Sequence, residues 1–431
     1  MIKRIRSEDL EVGMFVEDFN TPWMDHPFLT NKKKLKSAKE IALVLEHHIA
    51  EVYINTDRGR DSAKGVPVAE FQADLRSRMR EEVLAEPKPL ESGAIPSEPA
   101  AGGGTPYDEE LRAATKIYGE AKSVVKGLLQ DVRLGRSIDG EAAAAAVDSM
   151  VDSIFRNREA LTSLSRLKSF DDYTFHHSVN VSVLALTLGR DLGMVKGELR
   201  RLGIGGMLHD VGKMRVPEAI LNKQGRLTEE EFAIMKTHSL HGAKILMDAK
   251  GVPGECAAVA LNHHERVNGA GYPRGLQGPA IGKFGLIAAI ADVYDAITSD
   301  RVYQRGMSSH EALQRIYEWS KTDFHPIYVQ KFIQCLGIYP TGSAVLLDTG
   351  EAGVVCRQNR SHLLRPWVRV VRSALGQPLT EAFEVDLSEP SEPDPAQRNP
   401  FARTIVSTLA ASDLASDAGP LVLPAAEPRV A

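Results

Sequence analysis

The spacing of apolar residues changes several times along the 431-residue chain and divides it into segments. Short apolar runs typical of strands, Met14–Val16 and Val52–Ile54, lie on either side of a helical stretch near Ser37–His47. These patterns predict a small α+β module over residues 1–85. Residues 86–106 then hold five prolines and three consecutive glycines, which predicts a flexible linker without fixed structure.

Helical spacing begins at Tyr107. Apolar residues recur there at intervals of three and four and form one stripe, made of Ile117, Ala121, Val124, Leu128 and Val132. Such a stripe packs within its own chain or pairs with a second copy, so a homodimer is an open alternative. We predict connecting helices over residues 107–165 and an all-helical domain over residues 166–340, where the helical periodicity continues.

The helical spacing ends before the last segments of the chain. Val345–Leu347, Gly353–Cys356 and Val368–Val371 have strand-like composition and are separated by turns and polar runs, which predicts a small β-rich subdomain over 341–388. Residues 389–431 contain seven prolines with much Ala, Ser and Asp, which predicts a disordered tail. The predicted fold class is therefore multidomain and mainly α, with the α+β module first and the β-rich subdomain last.

Composition narrows the class of protein. The chain has 52 basic and 57 acidic residues, so we expect no interaction with duplex nucleic acid. Three scattered cysteines are too few for a disulfide framework and indicate free thiols in a reducing compartment. The N-terminus lacks the apolar core of a signal peptide, and no apolar run approaches the roughly 18 residues of a membrane span. These features predict a cytoplasmic protein without a membrane span.

Histidines and aspartates in the predicted helical domain are the candidate functional residues. They lie in stretches that read as helices or helix ends: His177, His209, Asp210, His238, His263, His264 and Asp292. His209 and Asp210 end an apolar helix, and burying both is unfavourable unless another group pairs with them. Asp292 lies in the almost wholly apolar stretch LIAAIADVYDAITSD, where a buried carboxylate needs a partner such as a cation.

Imidazole and carboxylate ligands together bind divalent ions such as iron, manganese, nickel and zinc. A set without cysteine indicates a hydrolytic centre rather than a structural zinc site. Asp210 could bridge two ions, and two-metal sites catalyse in-line attack on phosphate esters. Two ligand positions stay open, because His241 competes with His238 and Asp295 competes with Asp292.

Several short motifs in this region resemble those of a known family. Residues 209–213 read HDVGK, the pattern of the HD phosphohydrolase superfamily, and residues 263–273 read HHERVNGAGYP, which resembles the signature of the HD-GYP subfamily. The resemblance runs from about Tyr173 to Tyr303. Residues 1–60 are also similar to an N-terminal domain that is often attached to bacterial HD-GYP proteins.

The HD-GYP resemblance implies a metal-dependent phosphodiesterase that hydrolyses cyclic di-GMP to linear pGpG, with GMP as an alternative final product. It implies two divalent ions that activate a water molecule for attack. Iron or manganese is the expected metal, with nickel or zinc as alternatives. Carried over by position, one ion would take His177, His209, Asp210 and Asp292, and the other would take Asp210, His238, His263 and His264. Asp210 and Lys213 would be catalytic, and Lys213 and Arg301 would contact substrate phosphate.

Three positions depart from the family pattern. Asn268 stands where the family usually has Asp, Tyr173 where members with a third ion have Glu, and Gln304 where Lys or Arg is common. Tyrosine is a poor ligand for a third ion, so we expect two ions. Asn268 still suits a tight turn beside Gly269, but it carries no charge, and both Asn268 and Gln304 bear on whether catalysis is retained.

The GYP loop, defined as residues 271–273, has two alternative roles. Tyr272 and Pro273 form either a rigid turn beside the site or a contact with a diguanylate cyclase domain, a partner that the resemblance suggests. Two other functions also stay open, namely a hydrolase of another cyclic dinucleotide or nucleotide phosphate, and a non-catalytic cyclic di-GMP receptor. The complete ligand set favours catalysis. Because every candidate ligand follows Tyr107, we expect a fragment that starts there to keep hydrolase activity.

Overall fold

The structure is a computed structural model that describes residues 1–21, 28, 32–86, 105–165, 173–225, 227–299, 306–320, 322–390, 403–409 and 411–414. Most of the predicted linker, together with Arg301 and Gln304, lies outside these residues. The strands are β1 (Ile2–Arg6), β2 (Phe15–Asp18), β3 (Lys33–Lys34), β4 (Glu51–Asn55), β5 (Val66–Pro67), β6 (Ala344–Leu347), β7 (Ala352–Arg357), β8 (Trp367–Arg372), β9 (Pro378–Asp386) and β10 (Ile405–Thr408). The helices are α1 (Ala38–Glu46), α2 (Val68–Leu84), α3 (Tyr107–Arg133), α4 (Gly140–Arg156), α5 (Arg158–Leu164), α6 (Tyr173–Asp191), α7 (Lys196–Met207), α8 (Glu218–Leu221), α9 (Glu229–Lys236), α10 (His238–Asp248), α11 (Cys256–Asn262), α12 (Gly282–Thr298), α13 (Ser309–Trp319), α14 (Pro326–Leu336) and α15 (Ala411–Leu414).

The N-terminal region has the predicted α+β character. Five antiparallel strands lie in the order β3-β2-β4-β1-β5. Val16 and Ile54 of this sheet pack with Val44 of α1 in a core that is separate from the core of the later helices. Helix α1 begins after Ser37, whose hydroxyl accepts a hydrogen bond from a backbone N–H in the first turn. Strand β1 was not predicted, because its IKRIR sequence buries only Ile5.

Helix α2 packs with the helical part of the chain although it lies within residues 1–85. Phe71, Leu75, Met79 and Val83 recur every four residues and are buried in the same core as the helices that follow. Gln334 of α14 donates a hydrogen bond to the Val83 carbonyl at 2.7 Å. The core of the N-terminal sheet therefore ends before α2, and a domain boundary at residue 85 stays a prediction.

Helices α3 to α14 form an all-helical body, which confirms the mainly α fold class. The apolar stripe on α3 packs against α4, α5 and α6 of the same chain, with Ala121, Leu128 and Val132 buried. A homodimer thus stays a prediction. Helices α6 and α12 lie side by side and are buried along most of their length, so their polar residues face the interior. No helix in the described ranges has the length and apolarity needed to cross a membrane, and the cytoplasmic location also stays a prediction.

The β-rich C-terminal region is a five-stranded antiparallel sheet in the order β10-β6-β7-β8-β9. Strands β6, β7 and β8 overlap the three predicted strands, whereas β9 was not predicted because its residues are mostly exposed. Val345, Val355 and Val368 pack into the same core as the helices. The prediction of a disordered tail is wrong for Ile405–Thr408, because these residues pair with β6 and two of them are β-branched and apolar.

The N-terminal sheet contacts the helical body through partly buried polar groups on α13. Arg315 donates hydrogen bonds to Asp18 at 2.8 Å and to Asn20 at 2.6 Å. Asn20 donates to Glu318 at 2.8 Å, and the Tyr53 hydroxyl donates to the same carboxylate at 3.0 Å. Only 5% of the Glu318 side chain is exposed. Directional polar contacts, rather than a shared apolar core, therefore join these two regions.

Candidate metal centre

The seven candidate ligands lie on or directly after five helices that converge on one buried point. They are His177 on α6, His209 and Asp210 after α7, His238 at the start of α10, His263 and His264 after α11, and Asp292 on α12. Six of them are buried, and the side chain of His264 is 14% exposed. The fold thus brings together all seven residues that the sequence singled out as candidate ligands.

Gly212 allows the turn after α7 to approach α10 closely. A 3-10 turn over Val211–Arg215 follows Asp210. A Cβ atom at Gly212 would collide with the carbonyl oxygen of His238 and the backbone nitrogen of Gly242. Glycine is therefore required for the close approach that sets Asp210 beside His238.

The carboxylate of Asp210 lies between two sets of imidazole nitrogens. Its Oδ2 is 3.3 Å from His209 Nε2 and 3.8 Å from His177 Nε2. Its Oδ1 is 3.4 Å from His238 Nε2 and 3.8 Å from His263 Nε2. One oxygen faces each set, which is the geometry of a carboxylate that can bridge two ions.

Two ligand groups meet at Asp210, the first being His177, His209 and Asp292 and the second being His238, His263 and His264. In the first group, Asp292 Oδ1 lies 3.1 Å from His177 Nε2 and 3.8 Å from His209 Nε2. In the second group, the Nε2 atoms of His238 and His263 are 3.3 Å apart. The ligand atoms of the first group, and those of the second group with Asp210, lie within 4.8 Å of one another. Each group could therefore hold a divalent ion.

Backbone carbonyls orient three of the imidazole rings. The Nδ1 atoms of His209, His238 and His263 lie 2.8, 2.7 and 2.9 Å from the carbonyl oxygens of Gly206, Met235 and Ala260, respectively. A carbonyl only accepts, so each Nδ1 carries the proton and each Nε2 carries a lone pair that points into the cluster. The facing lone pairs of His238 and His263 repel each other unless a cation lies near both.

A chain of side chains that ends on α3 orients His177. Its Nδ1 lies 2.7 Å from one Asp295 oxygen, and the other Asp295 oxygen accepts a hydrogen bond from Asn180 at 2.9 Å. The Tyr118 hydroxyl donates to the Asn180 side-chain oxygen at 2.6 Å. Asp295 therefore supports His177 from behind, whereas Asp292 is the aspartate that lies among the clustered ligand atoms.

The electrostatics of the two groups differ. Burial lowers the pKa of His238 to about 4 and that of His263 to about 3. Both rings are therefore neutral at pH 7, as a metal ligand must be. Burial also opposes charge on His177, but Tyr173 and the hydrogen-bonded carboxylates of Asp292 and Asp295 outweigh it and raise the pKa of His177 well above its usual value.

Lys213 lies between the cluster and solvent. Its ammonium group is 2.5 Å from Asp210 Oδ2, and 26% of its side chain is exposed. Burial favours the neutral acid of Asp210, but Lys213 and His209 outweigh burial and hold the pKa of that carboxyl well below its usual range. A partly exposed cation beside the shared carboxylate is placed to contact a phosphate oxygen as well.

The GYP loop packs against the second ligand group. The Tyr272 ring stacks on the His264 ring with a centroid separation of 4.5 Å. Glu265 is 1% exposed and accepts hydrogen bonds from the backbone N–H groups of Arg274 and Leu276, both at 2.9 Å. These contacts support the first of the two predicted roles, a rigid turn beside the site, while contact with a partner stays a prediction.

Two departures from the family pattern have a structural setting. Asn268 accepts a hydrogen bond from the Ala270 N–H at 2.9 Å and donates one to Asp323 at 3.4 Å. An aspartate could not donate and would set two carboxylates side by side, so Asn268 suits the turn in this chain. The Tyr173 ring stacks on His177 at 5.7 Å and offers no carboxylate there.

Some predicted and supporting residues lie elsewhere. Arg301 and Gln304 are outside the described residues, so a phosphate contact by Arg301 stays a prediction. His241 is exposed on α10 and lies outside the cluster. No role was predicted for three buried polar residues that support the site, namely Tyr118, Asn180 and Glu265. Asn180 gave a usable signal, because an amide within the run VNVSVLAL needs a buried partner.

Converging helices with histidines and aspartates around one shared carboxylate define a metal-dependent phosphohydrolase of the HD class. The family model described as HD domain matches residues 149–326, and the model described as a domain of unknown function, DUF3391, matches residues 2–143. The chain is 37% identical over 395 residues to the cyclic di-GMP phosphodiesterase PA4108 of Pseudomonas aeruginosa, and the match covers 91% of both proteins. It is 42% identical over 141 residues to 3'3'-cGAMP-specific phosphodiesterase 1 of Vibrio cholerae, which covers 33% of this chain and 32% of that protein.

Among solved structures, Bd1817, an HDG"Y"P protein from Bdellovibrio bacteriovorus, matches with a TM-score of 0.44 and 18% identity, covering 77% of this chain and 98% of that chain. The relative from Pseudomonas aeruginosa is similar along nearly the whole length of both chains. This protein belongs to the HD-GYP family of phosphodiesterases. The resemblance seen in the motifs is thereby confirmed, and so is the N-terminal domain that accompanies them.

Proposed function

We propose that this protein hydrolyses cyclic di-GMP to linear pGpG with two divalent ions held by the seven clustered residues. The observation that carries the proposal is the position of Asp210, whose two oxygens face two separate sets of imidazole nitrogens. The relative from Pseudomonas aeruginosa, matched along 91% of its length, is named a cyclic di-GMP phosphodiesterase, which supports the choice of substrate.

The clustered atoms fit a pair of cations. His209 Nε2 and Asp210 Oδ1 are buried and have no hydrogen-bond partner among the described residues. An orphaned buried polar atom costs about 1–3 kcal/mol unless a further group pairs with it. A cation on each side of Asp210 would satisfy both atoms. The first ion would take His177, His209, Asp210 and Asp292, and the second would take Asp210, His238, His263 and His264.

The residues of the chain have distinct roles in the proposed reaction. When bound, the two ions supply a water nucleophile at neutral pH and neutralise the phosphate diester. Asp210 fixes the spacing between the ligand groups, and Lys213 places a positive charge beside the phosphate, whose negative charge grows during attack. Asp295 keeps His177 in one orientation. We retain Arg301 as a further phosphate contact, on the family resemblance alone.

Iron or manganese is the proposed metal, with nickel and zinc as alternatives. The first group with Asp210 offers two imidazoles and two carboxylates, and the second with Asp210 offers three imidazoles and one carboxylate. Mixed nitrogen and oxygen ligands of this kind suit all four metals. The supply of each metal while the protein is synthesised therefore also affects which ion is bound. Elemental analysis of protein purified without added metal would identify it.

A different cyclic dinucleotide is the second candidate substrate. The chain is 42% identical over 141 residues to a 3'3'-cGAMP-specific enzyme, and 37% identical to the relative from Pseudomonas aeruginosa. Because the two identities are similar, 3'3'-cGAMP is the second candidate. A non-catalytic receptor has less support, since the ligand set is complete. Contact of the GYP loop with a diguanylate cyclase domain, and a homodimer, stay proposals from the sequence.

The test is hydrolysis with defined metals. Protein loaded with Mn²⁺ in air, or with Fe²⁺ under anaerobic conditions, is incubated in parallel with cyclic di-GMP and 3'3'-cGAMP, and the products are separated by chromatography. We expect cyclic di-GMP to be converted to pGpG. Cleavage of 3'3'-cGAMP alone would select the second candidate, and cleavage of neither substrate with either metal would contradict the proposed activity.

A further inference from the structure

A cleft separates the N-terminal module from the GYP loop. His47, His48 and Glu51, at the end of α1 and the start of β4, line one side, and His264 and Tyr272 line the other. Because His264 also belongs to the second ligand group, the cleft opens directly beside the metal centre. The side formed by the N-terminal module has no role in the reaction proposed above.

Two arginines, Arg4 and Arg266, are among the residues that line this cleft, and both already contact other groups of the protein. Arg4 forms ion pairs with Glu51 and, at 3.1 Å, with Glu318. Arg266 donates hydrogen bonds to the backbone carbonyls of His263 and Glu265 at 3.3 and 3.1 Å. The charge of Arg4 is therefore balanced by carboxylates, and Arg266 is buried with N–H groups directed at carbonyl oxygens, so the cleft favours a neutral group that forms hydrogen bonds over a second phosphate.

Flat polar side chains line both sides of the cleft. His47 and His48 are exposed at the end of α1, and Asn268 and Tyr272 lie on the opposite side. Aromatic and imidazole rings stack on nucleobases, and amide and imidazole atoms pair with base edges. A purine base is therefore the neutral, flat and hydrogen-bonding group that this cleft suits best.

The backbone gives an independent indication of a ligand site. Asn20 and His48 have φ angles of 53° and 55°, and within the described part of the chain they are the non-glycine residues with positive φ. Both line this cleft. Residues held in such sparsely populated conformations cluster at ligand sites, where the surrounding structure fixes them.

We infer that the N-terminal module forms the far wall of the substrate site and that His47 and His48 bind one purine base of the substrate. The inference rests on the proposed function, because it takes a cyclic dinucleotide as the substrate. Such a molecule has two bases and two phosphates. With one phosphate at the metal centre, one base extends away from the ligand groups, and the cleft beside His264 is a place for it. The module then acts on substrate affinity more than on the chemical step.

The experiment removes both imidazoles in the full-length, Mn²⁺-loaded protein. His47→Ala is combined with His48→Asn, because asparagine tolerates the left-handed backbone at that position. Loss of base stacking should raise KM for cyclic di-GMP, and Kd measured by stopped-flow binding before turnover, at least about tenfold. The value of kcat should change far less, since the lost contact is made equally in ground and transition states. Lys39→Ala, an exposed position on α1 outside the cleft, is the matched control and should change neither constant.

A second variant covers the case in which the double variant does not fold. His47→Gln changes one exposed residue and keeps a polar side chain without the ring, so a rise in KM and Kd in this variant also supports the inference. Unchanged KM and Kd in a folded variant would overturn it. If the wild-type protein binds cyclic di-GMP without cleaving it, the proposed activity fails while the comparison of Kd values still decides the inference. Absence of binding to the wild-type protein would overturn both.

Discussion

The two ligand groups share Asp210 but are built differently. The first group contains the carboxylate of Asp292. Its His177 is oriented by a series of hydrogen-bonded side chains that ends at Tyr118 on α3. The second group contains three imidazoles and no carboxylate of its own, and backbone carbonyls orient two of them. The first group thus depends partly on distant side chains, although a backbone carbonyl orients His209, whereas the second depends more on local helix geometry. Substitutions should therefore be able to affect one ion at a time.

Asp210→Ala removes the residue that the groups share, and we expect the largest effect from it. Both ions lose a ligand, so metal content should fall well below two ions per chain. Turnover of cyclic di-GMP should fall at least about a thousandfold, because the ions contribute several kcal/mol to catalysis and each 1.36 kcal/mol is a factor of ten. Asp248→Ala, an exposed aspartate on α10, is the control for kinetics and elemental analysis. Near-normal turnover in a folded Asp210→Ala protein would refute the two-ion arrangement.

Asp292→Ala and His263→Ala test whether the groups are separable. Each removes a ligand from one group only, so each variant should retain about one ion per chain. Loss of a residue that only supports a metal ligand typically lowers activity about 10–100-fold. Loss of the ligand itself should lower kcat/KM by more than that. Metal content and kinetics are measured on the same preparations. Loss of both ions from either folded variant would show that the groups bind metal only together.

Tyr118→Phe should weaken the first group alone. The change deletes one hydroxyl, so Asn180 loses a hydrogen bond of 2.6 Å and His177 is held less firmly. The affinity for one of the two ions should fall about tenfold, and release to a chelator should become clearly biphasic. Tyr107→Phe is the matched control on the same helix, since its hydroxyl donates to Ser163 at 3.0 Å. Equal effects of the two changes on metal release would mean that α3 acts through overall stability.

Tyr173→Glu should have the smallest effect of these substitutions, and that effect is the gain of a metal ligand. Residues 173 and 177 are one helical turn apart on α6, so a glutamate could add a ligand beside the first group. Elemental analysis should give about two ions per wild-type chain and up to three in the variant. The wild-type protein should accumulate pGpG, and the variant should release a larger share of GMP. Three ions in the wild-type protein would contradict this interpretation of Tyr173.

The candidate site could be located from sequence because polar residues within apolar helices are conspicuous. His209, Asp210 and Asp292 stood out as buried groups that need a partner, and short motifs supplied the rest. The supporting chain could not be predicted, since Tyr118 and Asn180 are 62 residues apart and meet only through the packing of α3 on α6. Similarly, the choice between Asp292 and Asp295 depends on which face of α12 points to the cluster.

The fold was predictable where local pattern and tertiary environment agree. Strands β6, β7 and β8 together contain six buried valines, and Ser37 is a good N-cap for α1. Strand β9 escaped prediction because its exposed side chains leave no apolar alternation. The sequence of α2 shows an apolar stripe but not which of two cores receives it, since that depends on contacts with α13 and α14.

Strand β10 determines where the chain can be shortened without causing self-association. A fragment that ends at residue 388 lacks β10, so the N–H and C=O groups of β6 that pair with Ile405–Thr408 would face solvent. An unpaired edge of this kind is a template for pairing with a second molecule. A fragment that begins at Tyr107 also lacks α2, which leaves a gap where four apolar side chains fill the core. Residues 107–388 should therefore aggregate, so the hydrolase activity expected of a fragment that starts at Tyr107 is better tested in one spanning 68–414, which should remain dispersed in light scattering.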